Sequence, residues 1–93
     1  MADCQITCIN LSHGGNSHEH ITHVGNGRTW RNTVEEVIAW IKSGANTFYV
    51  LDQYGHRANV GVVEPGSGRR AYIRTYADRV WTDNLLSQQA CPL

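Results

Sequence analysis

The sequence predicts a small α+β domain in which a single helix packs on an antiparallel sheet, in the element order β-β-α-β-β-β. Two observations lead to this prediction. Residues 34–43 repeat apolar side chains at helical spacing, and the segments on either side alternate with the period of two that is typical of strands. The chain has 93 residues, a length that fits one compact domain over residues 1–93 and is too short for two.

Two short strands are expected before the helix. Residues 5–11 alternate as a strand does, and residues 19–24 are rich in the β-branched side chains that strands favour. Residues 12–17 contain two glycines and polar side chains, which predicts a loop. The Gly-Asn-Gly sequence at 25–27 is expected to end the second strand.

The helix has recognisable signals at both ends. Thr33 and Glu36 have the spacing of a capping box, in which each side chain bonds the backbone amide of the other residue. Gly44 can adopt the left-handed backbone that ends many helices. An apolar stripe between these signals should face the sheet, and it consists of Val34, Val37, Ile38 and Ile41.

The second half of the chain predicts three further strands, at residues 47–52, 57–64 and 70–76. Short Gly-containing turns join them, so neighbouring strands should run antiparallel. The tail, residues 80–93, has no regular pattern but contains large apolar side chains. We therefore expect an irregular tail that packs against the domain.

The composition predicts a cytoplasmic protein that binds neither nucleic acid nor membranes. Eight basic and eight acidic residues give zero formal charge, whereas nucleic-acid binders usually carry a basic stripe. The cluster Arg69, Arg70 and Arg74 is interpreted as a solvated turn and strand face. The sequence has no apolar run near the ~20 residues that span a bilayer and no secretory signal pattern. The three cysteines are therefore expected to be reduced.

Several short motifs follow one another along nearly the whole chain. They are Gly14-Gly15-x-x-His18-Glu19-His20-Ile21-x-x-Val24, Trp30, Thr33-x-x-Glu36-x-Ile38-x-x-Ile41-x-Ser43-Gly44, Phe48-Tyr49-Val50, Tyr72-Ile73-Arg74-Thr75-x-x-Asp78, and Asn84-Leu85-Leu86-Ser87 with Cys91. In this order they resemble a bacterial family known as domain of unknown function 3892. Gln88-Gln89-Ala90 departs from the Leu-Pro that the family tends to have before its last cysteine. The resemblance implies a compact domain and no particular activity.

The histidines near the N-terminus are the main candidates for chemistry. On a strand, His18 and His20 would share a face about 6.6 Å apart, which suits two ligands of one zinc ion. Cys91 is the third ligand in this hypothesis, with His13 or Cys8 as alternatives. The structural alternative is that His18 and His20 bond the backbone of the glycine loop and hold it in place.

Two other side chains complete the set of candidates. Glu19 could act as a general base beside the histidines, or it could form a surface ion pair with an arginine. Trp40 lies at the edge of the helix stripe and could present a partner surface.

We interpret the chain as a non-enzymatic binding or protein-interaction module without a cofactor. The sequence shows no paired acids, no nucleotide-binding loop and no nucleophile beside an evident base, so no catalytic residue is proposed and an enzymatic role stays open. The candidate ligand or partner residues are His18, Glu19, His20 and Trp40. A zinc protein that uses His18, His20 and Cys91, and a small-ligand-binding domain, are the alternatives.

Overall fold

The computed structural model describes residues 2–12, 15, 17–52, 54–66, 68–77, 80–82, 85–86 and 88–91. Within these residues the chain forms one α-helix, one 3₁₀ turn and nine strands. The strands are β1 (Ala2–Gln5), β2 (Cys8–Leu11), β3 (Ile21–Asn26), β4 (Trp30–Thr33), β5 (Asn46–Leu51), β6 (Arg57–Val63), β7 (Tyr72–Ala77), β8 (Val80–Thr82) and β9 (Gln89–Ala90). The 3₁₀ turn is His18–His20, and helix α1 is Val34–Ser43.

The strands form two sheets rather than one. The large sheet has the order β1-β5-β6-β7-β8, and the small sheet has the order β4-β3-β2-β9. The α+β class is confirmed, and so is the antiparallel meander of β5, β6 and β7. The prediction of one antiparallel sheet is wrong, because β1 joins β5 in parallel and β2 joins β9 in parallel.

The N-terminal segment passes from one sheet to the other. The Ile6 amide donates to the Tyr49 carbonyl of β5 at 2.8 Å, and the next amide, Thr7, donates to the Gly25 carbonyl of β3 at 2.9 Å. The predicted single strand at 5–11 is therefore two strands in different sheets. Ile6 itself is fully buried between them, so the change of sheet takes place inside the core.

The helix agrees with its prediction at both ends. The Thr33 side chain accepts from the Glu36 amide at 3.2 Å, and the Glu36 carboxylate accepts from the Thr33 amide at 3.1 Å. Gly44 has left-handed backbone angles and ends α1. The helix contacts strands of both sheets, so that its apolar stripe closes a core shared by all of them.

The core consists of apolar residues from both sheets, the helix and the tail. Its buried members are Ile6, Ile9, Ile21, Val24, Val34, Val37, Phe48, Val50, Ala58, Val60, Ile73 and Leu85. Ile38, Ile41 and Leu86 pack against this cluster from partly buried positions. In the tail, Leu85 is buried in the core and Leu86 packs against it, and the short strands β8 and β9 lie within residues 80–93.

The other differences arise in the first half of the chain. The predicted strand at 19–24 begins later, at Ile21, because His18–His20 form the 3₁₀ turn. Gly25 does not end this strand, since it pairs with Cys8 and with Arg31. A methyl group on Gly25 would lie 2.4 Å from the Trp30 carbonyl oxygen, so glycine lets β4, which was not predicted, approach closely.

A disulfide joins Cys8 to Cys91 and attaches the tail to β2. The two positions are 83 residues apart, and both residues are buried. The expectation that these cysteines are reduced is therefore wrong. The backbone supports the bond, because the Cys91 amide donates to the Ile9 carbonyl at 3.1 Å beside the short parallel pairing of β2 with β9.

Reduction of this disulfide should lower the free energy of unfolding by roughly 2–5 kcal/mol, because an unfolded chain without the crosslink gains conformational freedom. Urea unfolding with and without dithiothreitol measures the difference. The double variant Cys8→Ala/Cys91→Ala is the control, and its unfolding midpoint should not respond to the reductant. An equal response in that variant would contradict the assignment, since Cys4 is the cysteine left to react.

Candidate functional site

The outer face of the large sheet carries polar and aromatic side chains. Side chains alternate between the faces of a strand, and Phe48, Val50, Ala58 and Val60 point into the core. Their neighbours occupy the opposite face: Thr47 and Tyr49 on β5, Arg57 and Asn59 on β6, and Tyr76 on β7. This face lies opposite the helix. A pocket among the described residues draws on both sides of the sheet, because four of its seven lining residues belong to this face, while Ile41, Phe48 and Val60 come from the helix side.

The pocket opens where two strands separate. β5 and β6 pair from Leu51 with Arg57 to Tyr49 with Asn59. Among the described residues, no pairs join β5 to β6 beyond that point, while β1 pairs with the other edge of β5 from Asn46 to Tyr49 and β6 continues along β7. The cavity there has a volume of about 300 Å³ and is lined by Ile41, Thr47, Phe48, Arg57, Asn59, Val60 and Tyr76. We call this the sheet pocket.

The sheet pocket combines an apolar interior with a polar rim. Ile41 from the helix, Phe48 and Val60 supply hydrocarbon surface, and Phe48 is held in place by two tryptophans. Its ring lies 5.8 Å from that of Trp30 and 6.2 Å from that of Trp40, measured between centroids. Trp40, predicted as a partner surface, is thus partly buried behind the pocket wall.

Arg57 on the rim is fixed by four contacts. Its Nη1 donates to Asp3 Oδ2 at 2.6 Å and its Nη2 to Asp3 Oδ1 at 3.0 Å. Its Nε donates to Asn59 Oδ1 at 2.8 Å, and the guanidinium carbon lies 4.3 Å from the centre of the Tyr49 ring. A two-point carboxylate contact together with ring stacking gives arginine a defined orientation.

The ion pair sets the charge at the pocket mouth. Hydrogen bonds from Arg57, and a further one from the Thr47 hydroxyl at 2.8 Å, lower the pKa of Asp3 below its ordinary value. The same carboxylate raises the pKa of Arg57. Both groups therefore remain charged at neutral pH, and their opposite charges compensate at a site where each side chain is 45% exposed.

The histidines predicted as metal ligands lie at the other end of β7. His18 is buried, and its ring stacks on Tyr72 with 6.4 Å between the centroids. The His20 ring instead bonds the Ser17 hydroxyl, with Nδ1 and Oγ 2.8 Å apart. Because these residues form a 3₁₀ turn, the prediction that they share one face of a strand is wrong.

Backbone hydrogen bonds connect the described residues before the turn with the turn itself. The Ser12 amide donates to the His20 carbonyl at 2.7 Å, and the His20 amide donates to the Ser17 carbonyl at 3.0 Å. A methyl group on Gly15 would lie only 2.3 Å from Cβ and Cγ of His20. The side chain of His20 therefore packs directly on the backbone of Gly15.

The zinc hypothesis stays a prediction, and the geometry gives it no support. Cys91 is bonded to Cys8 and does not offer a free thiolate. Among the residues with described positions, no three histidine, cysteine or acidic side chains are close enough to hold a metal ion. His13 lies outside the described residues, as do Gly14, Asp78, Asn84 and Ser87 of the motifs quoted above.

Two arginines of the basic cluster are paired with acidic side chains. Glu19 forms an ion pair with Arg69, which confirms the surface interpretation of Glu19. Arg70 lies 3.2 Å from Glu35 at the start of the helix. These pairs link the segment between β6 and β7 to the 3₁₀ turn and to α1, and they compensate the charges of Arg69 and Arg70.

Comparison with known proteins identifies the family to which the chain belongs. The family model described as "Protein of unknown function (DUF3892)" matches residues 5–88. The chain belongs to the DUF3892 family. No curated protein and no solved structure matches the chain. The DUF3892 match covers every residue that lines the sheet pocket, whereas Asp3 and Cys91 lie outside it.

Sequence reasoning missed the sheet pocket, although a signal was present. Arg57 and Asn59 alternate with Ala58, Val60 and Val62, a pattern that indicates one polar and one buried face on β6. This alternation does not identify the ion-pair partner of Arg57. Asp3 is 54 positions away, and it approaches Arg57 only because β1 docks in parallel beside β5.

Replacement of Gly15 by alanine should lower the free energy of unfolding by about 1–3 kcal/mol, the usual cost of overpacking. The Cβ atom of His20 is tied to the backbone, so the loop would have to move to admit the new methyl group. Urea unfolding measures the change. A Gly15→Ala/His20→Gly double variant removes the clash and should show a coupling of at least about 0.5 kcal/mol. Additive effects would contradict this contact.

Titration of Asp3 by NMR should give a midpoint below its ordinary pKa of 3.8. A lowered pKa means that the ion pair stabilises the fold above that value and that this stabilisation disappears as the pH falls through the folded pKa. Arg57→Gln should move the midpoint upward.

The matched control for that titration is Asp52. Its pKa is lowered mainly by the His56 amide of its own turn, so its titration midpoint should be the same in the unaltered protein and in Arg57→Gln. A parallel upward shift of Asp52 would indicate a general loss of structure instead of the loss of the ion pair.

Proposed function

We propose that this protein is a non-enzymatic binding module and that the sheet pocket is its binding site. The observation that supports the proposal most directly is the cavity of about 300 Å³ at the gap between β5 and β6. Small-molecule sites in proteins start at about this volume and combine apolar walls with a few placed polar groups. The sheet pocket has this composition, whereas the histidine loop was the site expected from the sequence.

The rim of the pocket is organised before a ligand arrives. Arg57 is held by Asp3, Asn59 and Tyr49, and Phe48 is held by Trp30 and Trp40. A group that is already ordered loses little conformational entropy on binding, which favours affinity. This order, on strands rather than on a loop, is what a binding surface requires.

The groups that line the pocket favour binding over catalysis. The described lining residues include no carboxylate, imidazole or thiol, and the nearby carboxylate of Asp3 is engaged by Arg57 and Thr47. General acid–base and nucleophilic catalysis use such groups within hydrogen-bonding distance of the substrate. The proposal therefore assigns the pocket a recognition role.

The neighbourhood of the pocket is also compatible with a protein partner. Leu51 and Tyr76 are exposed on the same face of the large sheet, and Tyr54 is 75% exposed in the following turn. Tyrosine and arginine are enriched at the centres of protein interfaces. A partner would place one side chain in the pocket and cover these residues, while a free small molecule would need the pocket alone.

The cellular location stays a prediction. The sequence favours the cytoplasm, whereas disulfides persist mainly in oxidising compartments. No helix of the described chain is long and apolar enough to cross a membrane. Alkylation of free thiols in denaturant at the moment of cell lysis distinguishes the reduced protein from the disulfide-bonded protein, because the reduced protein has three free thiols and the disulfide-bonded protein has Cys4 alone.

A fragment screen observed by NMR tests the proposed site. Compounds that bind should shift the backbone amides of Thr47, Phe48, Asn59 and Val60. Asn59→Trp places an indole at the pocket mouth and should abolish these shifts. Leu11→Trp places an indole at an exposed strand position of the small sheet instead and should leave these shifts intact. Binders that shift only the loop of His18 and His20, or no binders at all, would overturn the proposal.

A further inference from the structure

The charge balance at the sheet pocket indicates which ligands it accepts, an inference that rests on the proposed function. Arg57 is the cationic residue among the described lining residues, and Asp3 contacts it through both carboxylate oxygens. An anionic ligand would have to compete with this carboxylate, which the parallel pairing of β1 with β5 keeps in place. A cationic ligand would gain little attraction from Asp3, because the Arg57 guanidinium already compensates the charge of that carboxylate.

The shape of the rim adds a second restriction. The Tyr49 ring covers one face of the Arg57 guanidinium, and the Arg57 side chain is still 45% exposed. Part of the Arg57 side chain therefore stays accessible to a second flat group at the rim. Guanidinium planes stack readily on aromatic rings, so this position favours a planar ligand over a saturated one.

Asn59 supplies the polar contact. Its Oδ1 accepts from Arg57 Nε at 2.8 Å, which fixes the orientation of the amide and leaves the Nδ2 hydrogens as donors at the rim. A complementary ligand carries an acceptor such as a carbonyl oxygen. Ile41, Phe48 and Val60 meanwhile offer hydrocarbon surface to the rest of the ligand.

We propose that the sheet pocket binds a flat, uncharged aromatic group that carries a carbonyl acceptor, and that Asp3 sets this preference by occupying Arg57. Aryl carboxamides are the simplest members of this class. Asp3 is thus a specificity-determining residue that need not touch the ligand. Its carboxylate stands where the carboxylate of an anionic ligand would otherwise bind.

Three probes of similar size and different charge test the preference on the unaltered protein: benzamide, benzoate and benzylammonium. Chemical shifts of the lining amides give each dissociation constant. Benzamide should bind at least about tenfold more tightly than either ion, a difference of about 1.4 kcal/mol. Cyclohexanecarboxamide keeps the acceptor without the flat ring and should bind several-fold more weakly than benzamide.

Asp3→Asn provides the decisive variant. Loss of the carboxylate leaves the guanidinium available, so the order should invert and benzoate should bind more tightly than benzamide. Glu64→Gln removes an acidic charge that pairs with Lys42 instead, and this variant should keep the original order. An unchanged order in Asp3→Asn would exclude the role of Asp3 even if the pocket binds amides.

The outcomes separate the ligand class from the site. Benzoate or benzylammonium binding as well as benzamide in the unaltered protein would disprove the ligand class while leaving the pocket as a site. Failure of all the probes to shift the lining amides would also disprove the ligand class, and the fragment screen above then decides whether the pocket binds other chemistry. The proposed function falls only if that screen finds no ligand at the pocket.

Discussion

The change of sheet at Ile6 and Thr7 is the constraint on which the rest of the structure depends. Two successive amides donate to carbonyls of different sheets, so one continuous segment serves as an edge strand of the large sheet and an inner strand of the small one. The buried Ile6 side chain lies between the sheets. Without this crossing, the helix would cover two separate sheets instead of closing one core.

Two long-range contacts follow from the same crossing. Upstream, β1 lies parallel to β5 and brings Asp3 to Arg57. Downstream, β2 lies beside β9 and brings Cys8 to Cys91. The N-terminal segment therefore sets the charge at the pocket mouth and also anchors the tail, although its local sequence does not indicate either contact.

The sheet pocket and the histidine turn are separate places, whereas the sequence had suggested either ligand binding or structural support for His18 and His20. His18 and His20 belong to a turn that is held by backbone hydrogen bonds and by packing on Tyr72 and Gly15. The pocket gathers ordered polar groups over an apolar interior. The proposed binding site and the histidine turn thus lie toward opposite ends of β7, about 13 Å apart over the four residues from Tyr72 to Tyr76.

The sequence by itself determined the elements whose signals are local. The helix from Val34 to Ser43 was predictable because its capping box and its stripe lie within a dozen residues, and the meander was predictable because short turns leave neighbouring strands little choice but to pair. Only the tertiary structure decided the parallel pairings, the disulfide and the Asp3–Arg57 ion pair. These contacts join residues between 44 and 83 positions apart. They form because the chain changes sheets inside the core, and the alternation of polar and apolar residues in the sequence does not indicate such a change.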